Sequence, residues 1–382
     1  MKPKIMVVIG TRPEAIKMAP VLKELKKHKD WFEVMLVSTG QHKEQIAQVF
    51  DCFGIKPDVD FHIMKAGQSL LYIMTEVMTQ LERLIKEKRP DFILVHGDTQ
   101  TTVAAGLAAF YSKVPFGHVE AGLRSYDRMN PWPEEMNRML VDQAADLLFA
   151  PTKGNKENLL KQGIDAKCIF VTGQTAIDAA ALMQEKSIGG RSPVFCNLDE
   201  GGTTIVMTVH RRESWEGKLE HIFLAAKQIV EENPNVQIVF PMHKNPLIRK
   251  AAVGILRECR RIYMTEPLAY PDMICMLSKA ALVMSDSGGI QEECLYFHKP
   301  LILLRDTTER PEGIEANGVI LAGTEQKAIA ETAKVLLSEP EQYKRMQQAV
   351  NPFGDGKAAE RIVLQLARYF CLFMEPIEEF LI

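Results

Sequence analysis

The sequence predicts an α/β protein built on parallel sheets, and three observations carry that expectation. Short β-branched runs alternate with longer segments of helical period, which is the pattern of βα units. At 382 residues the chain is longer than one hydrophobic core accommodates, so two domains of about 180 residues each are expected. The residues just after the strand-like runs are polar or glycine, as they are where open parallel sheets bind ligands at the carboxyl ends of their strands.

In the first half, strands are expected at residues 5–9, 33–37, 92–96, 115–119, 147–150 and 169–172, each followed by a turn and a helix. After Pro13, the side chains of Ala15, Met18, Ala19, Leu22 and Leu25 form one apolar stripe at helical spacing. Pro13 suits the first helical position, and Pro20 is expected to kink this helix. Residues 184–202 turn irregular (Ser187, Gly189, Gly190, Ser192, Pro193, Gly201, Gly202), and a second βα series opens at 203–208. The expected domains are therefore 1–183 and 203–356, with a linker between them. Strands at 237–240, 282–285 and 301–304 continue the second series, and helices start at Glu325 and Pro340. A last helix over 357–374 places Ala358, Ile362, Leu366 and Tyr369 on one stripe suited to docking on either domain.

Apolar residues make up 46% and charged residues 25%, which fits an ordinary globular protein rather than a disordered or membrane-embedded one. The net charge of −3 gives no reason to expect a nucleic-acid or anionic-membrane partner. The seven cysteines, at 52, 168, 196, 259, 275, 294 and 371, show no paired or zinc-like spacing. They read as reduced, mostly buried thiols, and no metal is expected. Residues 5–9 are too short for a signal-peptide core and the stretch around 103–110 too short for a membrane span, so a cytoplasmic location is expected.

The polar strand ends carry the chemistry. Gly10-Thr11-Arg12-Pro13-Glu14 is a glycine turn running into a helix N-terminus, with Lys17 one turn on. It reads either as an anion site, where backbone N–H groups and Arg12 meet a phosphate, or as a plain strand-to-helix turn. No G-x-G-x-x-G dinucleotide fingerprint is present. Asp286-Ser287-Gly288-Gly289 opens a helix containing Gln291, Glu292 and Glu293. Its glycines allow close phosphate approach and its carboxylates suit ribose hydroxyls, while simple capping by Asp286 or Ser287 is the alternative. Asp98, between Gly97 and Thr99, is an acid/base candidate or a cap. Glu120 lies between a buried strand and Ala121-Gly122, where desolvation is expected to raise its pKa toward a useful acid/base value. Glu134 begins a helix and is either a first-turn charge or a further carboxylate of the site. His210-Arg211-Arg212-Glu213 contains half a metal motif with no third ligand at metal-like spacing, so it reads as a histidine beside two arginines. Arg310 sits on a loop after a strand of the second series, as a phosphate clamp requires.

Taken together, residues 10–20, His96-Gly97-Asp98-Thr99, residues 117–124, residues 210–213, residues 286–293 and residues 305–312 resemble the bacterial non-hydrolysing UDP-N-acetylglucosamine 2-epimerases, over nearly the whole chain. The resemblance implies a GT-B architecture of two Rossmann-like domains with an interdomain active-site cleft. It also implies a C-terminal helix, 357–382, crossing back to the first domain, and a homodimer. It implies that Arg12, Lys17, His210, Ser287, Gly288, Gly289, Glu293 and Arg310 bind UDP, that residues 266–270 cradle uracil, and that Asp98, Glu120, Glu134 and His210 surround the sugar. The implied reaction is reversible C2 epimerisation of UDP-GlcNAc and UDP-ManNAc through elimination and re-addition of UDP. It needs neither metal nor NAD and feeds surface polysaccharide synthesis. A regulatory UDP-GlcNAc would touch Gln41, His42, Glu134, Arg211 and His243.

The chain departs from the family pattern at three places. Val209 stands before His210 and Gln174 replaces a usual Asn, neither expected to touch a catalytic group. Gly67 stands where some members carry an Arg for the regulatory nucleotide, so regulation is expected to be weak. Rival readings are a retaining GT-B glycosyltransferase, a hydrolysing epimerase, a relative acting on a UDP-diacetamido-uronic acid, and a sugar-nucleotide sensor without turnover. An NAD-dependent epimerase is disfavoured, because none of the eight tyrosines has a lysine four positions later.

Overall fold

The computed structural model describes residues 2–40, 43–65, 67–186, 192–211 and 217–381. The chain forms two compact units, one of residues 1–181 with 353–382 and one of residues 182–352.

The first unit contains β1 (Lys4–Ile9), α1 (Arg12–Lys27), β2 (Glu33–Ser38), α2 (Lys43–Phe53), β3 (Val59–Asp60), α3 (Leu70–Lys88), β4 (Phe92–His96), α4 (Gln100–Tyr111), β5 (Phe116–Val119), α5 (Glu134–Ala144), β6 (Leu147–Ala150), α6 (Lys153–Lys161) and β7 (Ile169–Val171). The unit boundary falls inside α7 (Thr175–Lys186). The seven strands are parallel in the order β3-β2-β1-β4-β5-β6-β7. The central strands β1 and β4 read as nearly unbroken apolar runs and are buried along almost their whole length, as strands covered on both faces must be.

The second unit contains α8 (Val194–Asn197), β8 (Thr203–Thr208), α9 (Lys218–Glu232), β9 (Val236–Pro241), α10 (Pro246–Leu256), β10 (Ile262–Thr265), α11 (Tyr270–Lys279), β11 (Leu282–Ser285), α12 (Gly288–Tyr296), β12 (Leu301–Leu303), α13 (Glu312–Glu315), β13 (Val319–Leu321), α14 (Gln326–Ser338) and α15 (Pro340–Gln347). Its six parallel strands run β10-β9-β8-β11-β12-β13. Both sheets thus start at a central strand, wind outward one way, then return to its other side, the doubly wound topology. Its core packs Ile205, Met207, Ile238, Phe240, Met284 and Ile302 from the strands against Phe223, Ile229, Ile329 and Leu336 from the helices.

The strand expectations agree to within one or two residues, but β3, β10 and β13 have no counterpart among them. All three are edge strands, short and only partly buried: β3 (Val-Asp) has no apolar run, and the three or four residues of β13 (Val-Ile-Leu) and β10 (Ile-Tyr-Met-Thr) are too few for periodicity to separate strand from helix. Arg12, rather than Pro13, is the first helical residue of α1, and the helix continues through the buried Pro20 to Lys27. Part of the expected irregular stretch 184–202 is the helix α8, and residues 187–191 lie outside the described residues. The thiols are less buried than expected. Only Cys275 and Cys294 are buried, and Cys196 and Cys371 are exposed. Among the described residues no helix is long and apolar enough to cross a membrane, and no three His, Cys, Asp or Glu side chains are grouped to hold a metal.

The final helix, α16 (Ala358–Tyr369), belongs to the first unit and packs on α1. It buries Ala358, Ala359, Ile362, Val363, Leu366 and Ala367, and Tyr369 meets the ring of Phe92 edge-on at 5.3 Å. It stops at Tyr369, short of the expected 374, where Cys371 takes a left-handed φ of 56° and Leu372 N–H closes back on Ala367. Its start is held by Asp178 of α7, which accepts from the N–H groups of Ala358 (3.2 Å) and Ala359 (2.8 Å).

Burial lifts the Asp178 carboxyl to about 7, against the pull of those two N–H groups. A carboxyl more protonated in the native than in the unfolded state leaves stability undiminished below the ordinary carboxyl range and lowers it as pH rises toward 7. Asp178→Asn keeps an acceptor for the helix start and removes the ionisation. In thermal melts followed by circular dichroism, the melting temperature of the variant minus that of the wild type is expected to become more positive from about pH 4 to about pH 8. A difference that stays flat over that range is the contrary result.

Candidate active site

In each unit the strand order reverses beside the first strand, between β1 and β4 and between β8 and β11. There, adjacent strands send their connections to opposite faces and leave a crevice at their carboxyl ends. Of the predicted residues that are described, those following β1, β4 and β5 and those following β8 and β11 stand at the strand ends around these two points.

In the first unit the crevice is lined by carboxylates. Gly10 ends β1 against Thr101 of α4, where a Cβ would stand 2.1 Å from the Thr101 hydroxyl, so only glycine lets the two turns close. The carboxylate of Glu14 binds them together, accepting from Gly10 N–H (2.5 Å), Thr11 N–H (2.9 Å) and the Thr99 hydroxyl. Burial raises its pKa to about 7 despite these donors. Lys17, one turn further along α1, points its ammonium onto Glu120 Oε2.

Glu120 follows β5 at a left-handed φ of 70°, a conformation that a non-glycine residue keeps only where its surroundings hold it. Lys17 and the amide of Gln174, at 2.6 Å, both donate to its Oε2. This corrects one expectation: Gln174, expected to touch no candidate catalytic group, donates to one, and Glu120 carries an ammonium as well as being buried. Asp98, half-buried, pairs with Arg138 of α5 at 2.6 Å. The cap of α4 is Thr99, which accepts from Thr102 N–H, so the capping alternative for Asp98 falls away. Glu134 is the first residue of α5 and half-buried, and its neighbour Glu135 binds Arg138 and the N–H groups of Ser125 and Tyr126.

Beneath this carboxylate group lies a buried ionic centre that the motifs did not reveal. His118 Nδ1 lies 2.6 Å from Asp142 and its Nε2 lies 2.7 Å from the carbonyl oxygen of Gly97. Asp142 also takes Arg124 at 2.5 Å; burial would raise its carboxyl, but His118 and Arg124 outweigh that and hold it below the usual range. The Gly97-Asp98 turn is thereby anchored from below.

In the second unit the crevice is built around guanidinium groups and N–H donors. Asp286 is fully buried and accepts from the N–H groups of His210 (2.9 Å) and Arg211 (2.8 Å) and from His210 Nδ1 (2.8 Å). Burial raises its pKa, but the His210 ring and these N–H groups outweigh that and bring it below the usual range. Ser287, not Asp286, caps α12. Arg310 passes under the start of this helix, where a Cβ on Gly288 would stand 2.6 Å from its Nη1, while a Cβ on Gly289 would meet open space. Glu292 (2.6 Å) and Glu309 (2.5 Å) hold its guanidinium, and Glu309 also binds Arg305 at 2.8 Å and Arg211 at 3.5 Å. Glu293 accepts from the Tyr270 hydroxyl at 3.0 Å, which ties α12 to the end of the 266–270 loop. His243 is exposed with its ring centre 6.3 Å from that of His210, and burial first, then the His210 charge, lowers its pKa.

Lys17, Asp98, Glu120 and Glu134 thus belong to the first unit with Arg12, which opens α1. His210, Arg211, His243, Ser287, Gly288, Gly289, Glu293 and Arg310 belong to the second. Gly67 takes φ 68° with open space at its Cβ position. Gln41, His42, Arg212 and Glu213 lie outside the described residues. Sequence reasoning gave no role to Glu14, His118, Asp142, Arg138 and Glu309, and it read Glu292 as a carboxylate suited to ribose rather than as the partner of Arg310. Only Glu14 had a local signal, as the third residue after a capping threonine.

Two α/β units on doubly wound parallel sheets, with anion-type donors at one switch point and carboxylates at the other, define a nucleotide-sugar protein of the GT-B-like class. A family model described as UDP-N-acetylglucosamine 2-epimerase matches residues 23–367. The UDP-N-acetylglucosamine 2-epimerase of Bacillus subtilis is 47% identical over 369 residues, 97% of this chain and 96% of that protein. The S. aureus MnaA–UDP co-structure superposes with a TM-score of 0.92 at 44% identity, covering 100% of both chains. The UDP-GlcNAc 2-epimerase from Neisseria meningitidis, solved bound to UDP-GlcNAc, gives 0.92 at 42% identity, covering 96% of this chain and 100% of that one. The chain belongs to the UDP-N-acetylglucosamine 2-epimerase family and is an epimerase, an isomerase acting on a nucleotide sugar.

Asp142→Asn removes the negative charge between the buried His118 and Arg124 and turns one of the two oxygens they share into an amide donor. Breaking such a buried pair by removing one partner costs about 3–5 kcal/mol. Urea titration at neutral pH is expected to show a loss of that size, and a smaller one at acid pH, where the wild-type carboxyl is itself protonated.

Proposed function

We propose that this chain interconverts UDP-GlcNAc and UDP-ManNAc by elimination of UDP to 2-acetamidoglucal followed by its re-addition. The observation that carries the reading is the group of Lys17, Glu120 and Asp98 at the switch point of the first unit, in a chain of this family. The C2 hydrogen lies beside no carbonyl, so its direct removal has no enolate to stabilise it. Breaking the C1–O bond supplies the alternative. The C2–H electron pair becomes the C1=C2 bond, and UDP leaves with the C1–O pair. One of Asp98, Glu120 and Glu134 takes H2, and another returns a solvent-derived proton to the opposite face as UDP adds back at C1.

The nucleotide is assigned to Arg12, Lys17, His210, Ser287, Gly288, Gly289, Glu293 and Arg310. Arg310 and the glycine-opened start of α12 face the charge that grows on departing UDP, and such fixed donors act without reorganisation as the bond breaks. Asp286 grips His210 by Nδ1, which leaves Nε2 for the sugar or phosphate. Glu293, steadied by Tyr270, suits the ribose hydroxyls, and the backbone of residues 266–270 suits uracil.

Leu71 of α3, Phe110 and Tyr111 of α4, and Met136 and Leu140 of α5 are exposed apolar side chains on helices that pack side by side, and they support a homodimer. Seven free cysteines support a reducing, cytoplasmic setting, and the UDP-ManNAc formed would supply surface polysaccharide synthesis. A second, regulatory UDP-GlcNAc at Gln41, His42, Glu134, Arg211 and His243 lacks a charged partner at Gly67, so activation of the reverse reaction takes high UDP-GlcNAc concentrations.

Incubation of the purified protein with UDP-GlcNAc in deuterium oxide, without added metal or NAD, is expected to give both UDP sugars with one deuterium at C2 by NMR. Epimerisation that leaves C2 unlabelled, or that requires NAD, sinks the mechanism. Asp98→Asn, Glu120→Gln and Glu134→Gln are each expected to lower kcat by about a hundredfold or more with UDP affinity little changed, whereas Arg310→Ala weakens UDP binding as well. Near-normal turnover in all three carboxylate variants would show that the proton-transfer groups lie elsewhere.

A further inference from the structure

His96, the last residue of β4, has no role in the assignments above, yet its surroundings are unusual. Its side chain is 3% exposed, and neither ring nitrogen has a hydrogen-bond partner among the described residues. The rest of β4 is Phe92, Ile93, Leu94 and Val95, so an apolar residue would continue the strand without leaving polar atoms unsatisfied. The ring faces charge rather than the core. Its Nε2 lies 3.6 Å from Glu120 Oε2, and Lys17, His118 and Asp98 are the other ionisable groups around it.

Burial drives the imidazole down to about 4, ahead of the opposing pull of Glu120, so the ring is neutral through the physiological range. A neutral imidazole carries one N–H and one lone pair. Of the two nitrogens, Nε2 faces a carboxylate, which only accepts, so the proton belongs there. A separation of 3.6 Å is just beyond a hydrogen bond, and contacts of this kind in unliganded sites tighten when substrate binds. The two donors now on Glu120 Oε2 are the Lys17 ammonium and the Gln174 amide. A cation beside a carboxylate makes it a poorer base, and a neutral N–H does so far less.

We propose that His96 is a positioning residue for proton transfer: it donates through Nε2 to Glu120 when a ligand diphosphate draws the Lys17 ammonium away, and so keeps the carboxylate aimed while it becomes a stronger base. The inference rests on the reading of Glu120 as a proton-transfer group. It goes beyond that reading in giving the pair Lys17 and His96 an exchange, one cationic donor for one neutral donor, linked to the arrival of the nucleotide.

The test compares His96→Leu with His96→Gln, because glutamine is uncharged and, like the neutral ring, offers both a donor and an acceptor. Both are first checked by thermal melting, and His96→Met replaces His96→Leu if the latter melts below the assay temperature. With His96→Leu, kcat for epimerisation coupled to C2 deuteration is expected to fall about ten- to a hundredfold, with KM for UDP-GlcNAc within about threefold and the acidic limb of the kcat–pH profile displaced. His96→Gln is expected to recover kcat to within about fivefold of wild type with the wild-type acidic limb. A side chain that only fills space would not move the pH profile or be rescued by glutamine. Wild-type kcat and pH profile in His96→Leu overturn the proposal, as does His96→Gln being as impaired as His96→Leu. Glu120→Gln is assayed alongside. If it retains turnover, the assignment of Glu120 fails; if it loses turnover while His96→Leu does not, only the role of His96 fails.

Discussion

The reversal of strand order at β1/β4 and at β8/β11 is the constraint on which the rest depends. Parallel strands need crossovers, and where the winding changes direction two neighbouring strand ends are left without a connection lying over them. The turns after those strands must therefore be finished by side chains. In the first unit Glu14 does so by accepting from Gly10 and Thr11 and from Thr99 across the crevice, and in the second Asp286 does so by accepting from His210 and Arg211. Each is a buried carboxylate bound mainly to main-chain N–H groups, and each holds functional residues as a by-product of satisfying its own lone pairs.

The two units solve the burial of charge in opposite ways. In the first, carboxylates are met by scattered partners: Lys17 on Glu120, Arg138 on Asp98 and Glu135, and Arg124 on Asp142, which also meets the His118 ring. In the second, Arg310, Arg305 and Arg211 gather around Glu309 and Glu292, leaving arginine beside a glycine-opened helix start. Desolvation of such ions is offset only where the geometry is well satisfied, so both networks are stiff. Stiffness suits each task. Proton transfer needs carboxylates held in fixed aim, and anion binding needs donors that do not have to turn as charge develops.

Two residues acquire meaning from this packing. Gln174, which differs from the family pattern, follows β7, and its amide reaches Glu120, which a reading of motifs in isolation does not suggest. His96 and Glu120 come from neighbouring strands registered His96 to Val119, so the carboxylate one residue on is brought beside the ring. The first joins the ends of strands two places apart in the sheet and the second follows from direct register, and neither arrangement can be read from one segment alone.

What the sequence determined by itself was the class of fold and the positions where chemistry gathers. Apolar runs buried on both faces are legible because a central parallel strand has no solvent side, and glycine and acidic residues after them are legible because strand ends are where polar groups meet a ligand. The edge strands β3, β10 and β13 were not, since runs of two to four residues are too short for periodicity to tell strand from helix. The partners of each functional side chain were decided by the tertiary structure alone. Lys17 and Glu120 are 103 residues apart, His118 and Asp142 are 24 apart, and Arg310 and Glu292 are 18 apart. Which buried charge meets which depends on how helices lie across a twisted sheet, and no local spacing in the chain encodes that distance.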